Sequence, residues 1–130
     1  PVIAQTDAGT PTVLRQPKLP MAILLIPATA SAGEAAAIAM IGRAATRTFG
    51  DSTVGLTSTN AAYTLSDGAL MQVTTSYDVD RNGVTHDGPL LPDQPMVIDW
   101  ANLGTPSDPV LNAALEWLND QSTCRSAPLA

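Results

Sequence analysis

The residues that could do chemistry gather around one serine. In the stretch IPATASAGEAAAIAM, Ile26 to Met40, a short apolar run ends at Pro27, small residues follow, and Ser31 opens an alanine-rich segment. Alanine has the best intrinsic helix propensity, so this segment predicts a helix. A serine in that place admits two readings. Ser31 and Glu34 have the S-x-x-E spacing of a capping box, in which the hydroxyl binds the Glu34 amide and the carboxylate binds the Ser31 amide. The same position also lies in the positive end of the helix field, beside free amides able to hold a developing oxyanion. Ala28, Thr29, Ala30, Ala32 and Gly33 are small, which would let a peptide carbonyl come close. A nucleophilic serine needs a base, and the chain contains one histidine, His86, and one lysine, Lys18.

The elements that must position Ser31 follow from pattern. MAILLIP, Met21 to Pro27, is a short apolar run between breakers and reads as a buried strand. The helix after it stops naturally at Gly42. Thr46 to Gly50 reads as a short strand and Asp51 to Asn60 as a loop of small polar residues. From Ala61 onward the pattern predicts a hairpin with Ser66-Asp67-Gly68 at its turn, followed by a second turn at Asp80 to Gly83. HDGPLLPD, His86 to Asp93, is an extended exit, and MVIDW, Met96 to Trp100, reads as one more short strand. Asp108 can cap a final helix with Pro109 in its first position. Val110, Leu111, Ala114, Leu115 and Leu118 form its apolar stripe. Trp100 and Trp117 are expected to bury against the sheet, and Asp67, Asp80 and Asp93 to bind local backbone at turns. The result is a mixed α/β segment: residues 1–20 loop-like, 21–120 structured, and 121–130 a flexible tail. The faces of the AILLI strand would want neighbouring strands, so the chain reads as half of a fold.

On these residues the chain resembles the tail-specific proteases, serine peptidases of the carboxyl-terminal processing and tricorn-core type with retinoid-binding-protein relatives. The likeness runs from Pro27 to Asp93 and rests on motif order: Ser31 to Glu34, Gly42-Arg43, Gly50 to Gly55, Leu65 to Gly68, Asp80 to Gly83, and Pro92-Asp93. It implies a crotonase-like α/β half-domain, the carboxyl-terminal half of a catalytic domain. It also implies Ser31 as nucleophile, the amide of Ala32 as an oxyanion donor, and a peptide or protein substrate. Where the carboxyl-terminal processing branch carries its lysine base, this chain has Leu56, so that alignment excludes a Ser-Lys dyad. The tricorn-like branch takes its base from a histidine in an upstream segment, implying an amino-terminal half, in cis or as a second chain, as partner. Its late acid would lie near THDGPLLPD, where Asp87 is the one carboxylate in place and another register puts His86 there. The family gives His86 no role as the base. Two-chain or processed organisation and secretion or a periplasmic location follow as expectations. The retinoid-binding relatives imply the other class of function, a non-proteolytic module that binds an apolar ligand or peptide.

Composition excludes other classes. The 130 residues carry a net charge of −6, with one lysine and five scattered arginines, which argues against a nucleic-acid surface. The longest apolar run is far short of the ~20 residues of a membrane helix. No His, Cys or carboxylate cluster has metal-ligand spacing and no glycine loop has phosphate-binding form, so no metal and no cofactor is expected. Cys124 is single and cannot form a disulfide within the chain. The chain opens at Pro1 without Met, which fits processing or a fragment.

Overall fold

In the computed structural model, which describes residues 18–122, the apolar run becomes strand β1 (Met21–Leu25). It leads through a tight turn into helix α1 (Ala32–Met40) and then into β2 (Thr46–Gly50). β1 and β2 pair in parallel over five residues, from Met21 opposite Thr46 to Leu25 opposite Gly50. β2 pairs in parallel on its other side with a short strand, β6 (Gln94–Pro95), giving the order β1-β2-β6. A parallel sheet needs cover on both faces, and two helices supply it. Side chains alternate along β1: Ile23 and Leu25 pack with Ala37, Ile38 and Leu90, while Ala22 and Ile26 pack with Phe49, Ile98, Val110 and Ala114. The first set belongs to α1, the second to α2 (Pro109–Asp120).

The remaining strands form an antiparallel ribbon. β3 (Ser58–Thr64) pairs with β4 (Leu70–Val79), with an irregularity between Thr59 and Asn60, and the end of β4 pairs with β5 (Thr85–His86). Gly68, at φ +86°, takes the left-handed turn position read from the sequence. At Gly50, φ is +114° and a Cβ would run into the Leu25 carbonyl, so β2 leaves the sheet by a path that glycine alone permits.

Most expected elements are present, with informative departures. The polar loop ends at Thr57: Ser58 to Asn60 belong to β3, because their small side chains pair with Thr74 to Tyr77. The strand expected at Met96 to Trp100 lies earlier, at Gln94–Pro95, where the extended exit meets the end of β2. The last ladder bond there runs from the Met96 N–H to the Gly50 carbonyl, 2.6 Å. α2 begins as read, with Asp108 Oδ1 accepting from the amides of Val110 (2.9 Å) and Leu111 (3.3 Å). Its buried stripe differs: Leu115 is exposed, and Ala113 and Trp117 pack in its place. Trp117 meets Phe49 with ring centroids 5.9 Å apart, whereas Trp100 lies exposed in a run of turns rather than against the sheet. Pro1 and Cys124 lie outside the described residues, as does most of the loop-like start.

Candidate functional site

The turn between β1 and α1 is built from its own backbone. Thr29 donates its N–H to the Ile26 carbonyl (2.8 Å), and its Oγ1 accepts from the Ile26 N–H (3.2 Å). This closes the chain sharply and delivers Ser31 to the start of α1 with φ 48° and ψ −112°. A non-glycine residue in that region carries strain, on the order of 1–3 kcal/mol, which neighbours must hold in place. The holder is Glu34. Ser31 and Glu34 stand in the capping-box arrangement, and the Ser31 N–H donates to Glu34 Oε2 at 2.9 Å. The serine lies at the surface, with its side chain on the Glu34 amide side of the box. Both readings of Ser31 therefore meet at one residue: its amide is held by Glu34 while the residue itself is exposed. Ala32 is exposed as well, and its N–H takes no partner among the described residues.

Glu34 does more than close a helix start. It is fully buried, and both its oxygens are saturated. Oε1 accepts from the Thr53 hydroxyl and from the Gly55 N–H (2.7 Å); Oε2 accepts from Ser31 and from the Leu56 N–H (2.8 Å). Burial pushes the carboxyl pKa up, but the hydrogen bonds from Thr53, Gly55, Ser31 and Leu56 outweigh it, and the net shift is downward. The group is thus a carboxylate at neutral pH. Thr53 passes the connection on: its Oγ1 accepts from the Leu90 N–H (2.8 Å), and the Leu90 carbonyl accepts from the Thr53 N–H (3.2 Å). Gly55 lies so close to Pro89 that a Cβ would sit 2.8 Å from its nitrogen. Three segments distant in sequence, the α1 start, the 53–57 loop and the 88–90 exit, are thereby fixed to one another.

The other expected residues separate. Asp87 is exposed, and its carboxylate makes no hydrogen bond among the described residues. It does lie next to Gly88, whose carbonyl accepts from Thr57 Oγ1 at 3.4 Å, on the exit that packs against the 53–57 loop. His86 turns its Nε2 toward Asp80 Oδ2, 3.5 Å away, without a well-formed hydrogen bond. Asp80 organises the second turn by accepting from the amides of Asn82 (2.8 Å) and Val84 (3.0 Å). The Val84 bond is the largest influence on its pKa, which is lowered despite burial. That turn sits on the far end of α1, where Arg81 donates to the Ala39 carbonyl (2.6 Å), so His86 belongs to the end of the helix opposite Ser31. Lys18 is exposed. Among the described residues, no three His, Cys, Asp or Glu side chains gather as a metal would require, and no helix is long and apolar enough to cross a membrane.

Two features escape a reading of the sequence. Thr53 is a buried junction, signalled only by its place in the Gly50-to-Gly55 motif. Asp93 was expected to bind local backbone and instead clasps β2: its Oδ2 accepts from the Thr48 N–H (2.8 Å) and Oγ1 (2.9 Å), and its own N–H donates to Thr48 Oγ1 (2.7 Å). Asp67 does bind locally, accepting from the Ala69 N–H at 3.0 Å.

Comparison with known proteins adds lineage to this geometry. The model of peptidase family S41 matches residues 3–96. A solved structure described as a lipoprotein from Streptococcus agalactiae is 30% identical, with a TM-score of 0.60. The match covers 82% of this chain and 33% of the lipoprotein, so the chain spans about a third of the length of that relative. No curated protein matches.

Proposed function

This chain belongs to peptidase family S41, and on that premise we propose that it carries the nucleophile of a serine peptidase, at Ser31. The observation that carries the reading is the state of Ser31: an exposed serine at the start of α1, at φ 48°, with its amide gripped by a buried carboxylate. Ser31 Oγ would attack a peptide carbonyl and form an ester with its carbon. Its proton would pass through a base to the departing amine as the C–N bond breaks. Water, deprotonated by the same base, would then hydrolyse the ester and release the acid. The amide of Ala32, next in the chain, would be one donor to the oxyanion. The base is a histidine from an amino-terminal half, in cis or as a second chain, because Leu56 stands at the lysine position and His86 faces Asp80. Asp87, on the exit beside the 53–57 loop, is the proposed acid. Within this reading residues 21–120 form the carboxyl-terminal half of a crotonase-like catalytic domain, inactive without the other half. Export from the cytoplasm is part of the same proposal, supported by the likeness to a lipoprotein.

Leucine in place of lysine also favours a second reading, a module of the same fold that binds a peptide or apolar ligand without cleaving it. A fluorophosphonate probe on the complete protein separates the two. Ser31 is labelled in the wild type, and Ser31→Ala loses essentially all labelling at that position. An unlabelled Ser31 in a folded protein that still binds a peptide establishes the second reading.

A further inference from the structure

The 53–57 loop is unusual in how completely its backbone is fixed. The Thr53 amide bonds Leu90, the Val54 amide bonds the Thr29 carbonyl (2.9 Å), and the amides of Gly55 and Leu56 bond Glu34. Thr53 and Thr57 turn inward and are 5% and 1% exposed; Val54 and Leu56 turn outward and are 47% and 55% exposed. Two aliphatic side chains thus project from a rigid loop with no cover among the described residues. Their location is specific. Leu56 and Ser31 share one carboxylate oxygen through their amides, so their backbones lie within two hydrogen-bond lengths of each other. Val54 is bonded to Thr29, two residues before Ser31.

Resting on the peptidase reading of Ser31, we propose that Leu56 and Val54 form an apolar subsite beside Ser31 that selects peptides with an aliphatic side chain next to the carbonyl under attack. A rigid apolar lip holds such a side chain at little ordering cost, because the loop is already immobilised. A polar or charged side chain would be desolvated there without a partner, the amides of residues 53 to 56 being already bonded.

Two fluorophosphonates test this in the complete protein, one with an alkyl linker and one with a polyethylene-glycol linker, read as second-order labelling rates at Ser31. The wild type prefers the alkyl probe; Leu56→Ser lowers that preference about tenfold, and Leu56→Met retains it. Thermal melting of each variant confirms folding, and Val54→Ser lowers the preference in the same sense. Equal rates with both probes in the wild type, or a preference unchanged in Leu56→Ser, overturns the subsite while leaving Ser31 a nucleophile. Unchanged discrimination together with a lower melting temperature shows instead that another segment of the protein covers Leu56. If neither probe reacts, the nucleophile reading fails. The subsite is then judged by anisotropy of a fluorescein-labelled Ala-Ala-Leu-Ala-Ala peptide against its Ala-Ala-Gly-Ala-Ala counterpart. Tighter binding of the leucine peptide, lost in Leu56→Ser, supports it, and equal binding overturns it.

Discussion

Glu34→Ala removes about 3 kcal/mol of stability and slows labelling of Ser31 more than any other substitution that leaves the hydroxyl in place. The reason is accounting of donors. Four groups, the Thr53 hydroxyl and the amides of Ser31, Gly55 and Leu56, converge on this fully buried carboxylate. Deleting it leaves the buried Thr53 hydroxyl and three part-buried amides without their acceptor, at roughly 1–3 kcal/mol for a buried polar group left unmade. Without its grip Ser31 is free to relax from φ 48° toward an ordinary helical or extended conformation, which redirects the hydroxyl. Glu34→Gln keeps the shape but sets amide hydrogens against amide hydrogens, so it rescues part of the packing and little of the alignment. Urea denaturation and probe-labelling rates, measured together, separate the two effects. A variant that loses stability and labels at the wild-type rate would show that Glu34 holds the fold and not the serine.

The same carboxylate sets an acid limit. Its folded pKa lies below the ordinary value of 4.5, so the folded state prefers it ionised more strongly than the unfolded chain does. Its contribution is complete above that ordinary value and disappears as pH falls through the lowered folded value. Asp80 and Asp108 are shifted the same way, by the Val84 and Gly104 amides first, and add to acid unfolding. The difference between wild type and Glu34→Gln isolates Glu34: it is largest near neutrality and narrows as pH falls below the ordinary value of 4.5. A constant difference across that range would place the carboxylate's influence elsewhere.

Phe49→Ala is the second large effect, a loss of about 4 kcal/mol. Phe49, on β2, is wholly buried against α2, tilted 59° against Trp117, with the Arg47 guanidinium 5.5 Å from its ring centre. It sits with Ile98, Val110 and Ala114 in the cluster that fastens α2 to the sheet, so the cavity has large rigid walls and little room to collapse. Phe49→Leu should cost less than half as much, because most of the volume remains. Denaturant midpoints check both. Loss of the near-ultraviolet signal of Trp117 in Phe49→Ala identifies α2 as the element released.

The strand, helix and strand around Ser31 were legible because each has a strong local cause: an apolar run between prolines, alanine propensity ended by Gly42, and a β-branched segment closed by Gly50. The hairpin turn and the Asp108-Pro109 start carry equally local chemistry. β6 was misplaced because its position is decided by the end of β2 and the Thr48–Asp93 clasp, contacts across 45 residues that no window contains. Leu115 and Trp100 were misjudged for a related reason. Periodicity says that a helix has an apolar face, whereas the sheet decides which side chains that face can seat. At the candidate site, spacing identified Ser31 and Glu34 but described only their bond to each other. The link from Glu34 to Thr53, Gly55 and Leu56 exists only once the chain has folded back on itself.

One consequence concerns β1. Among the described residues it is bonded on a single side, to β2. Alternate peptide groups of a parallel strand point outward, so this rim displays an unspent row of donors and acceptors along a greasy, half-covered ribbon, with Leu24 42% exposed. Such a rim is a template. Wherever it stands uncovered, an edge of this kind can pair with a further strand, and pairing between copies is a route to aggregation.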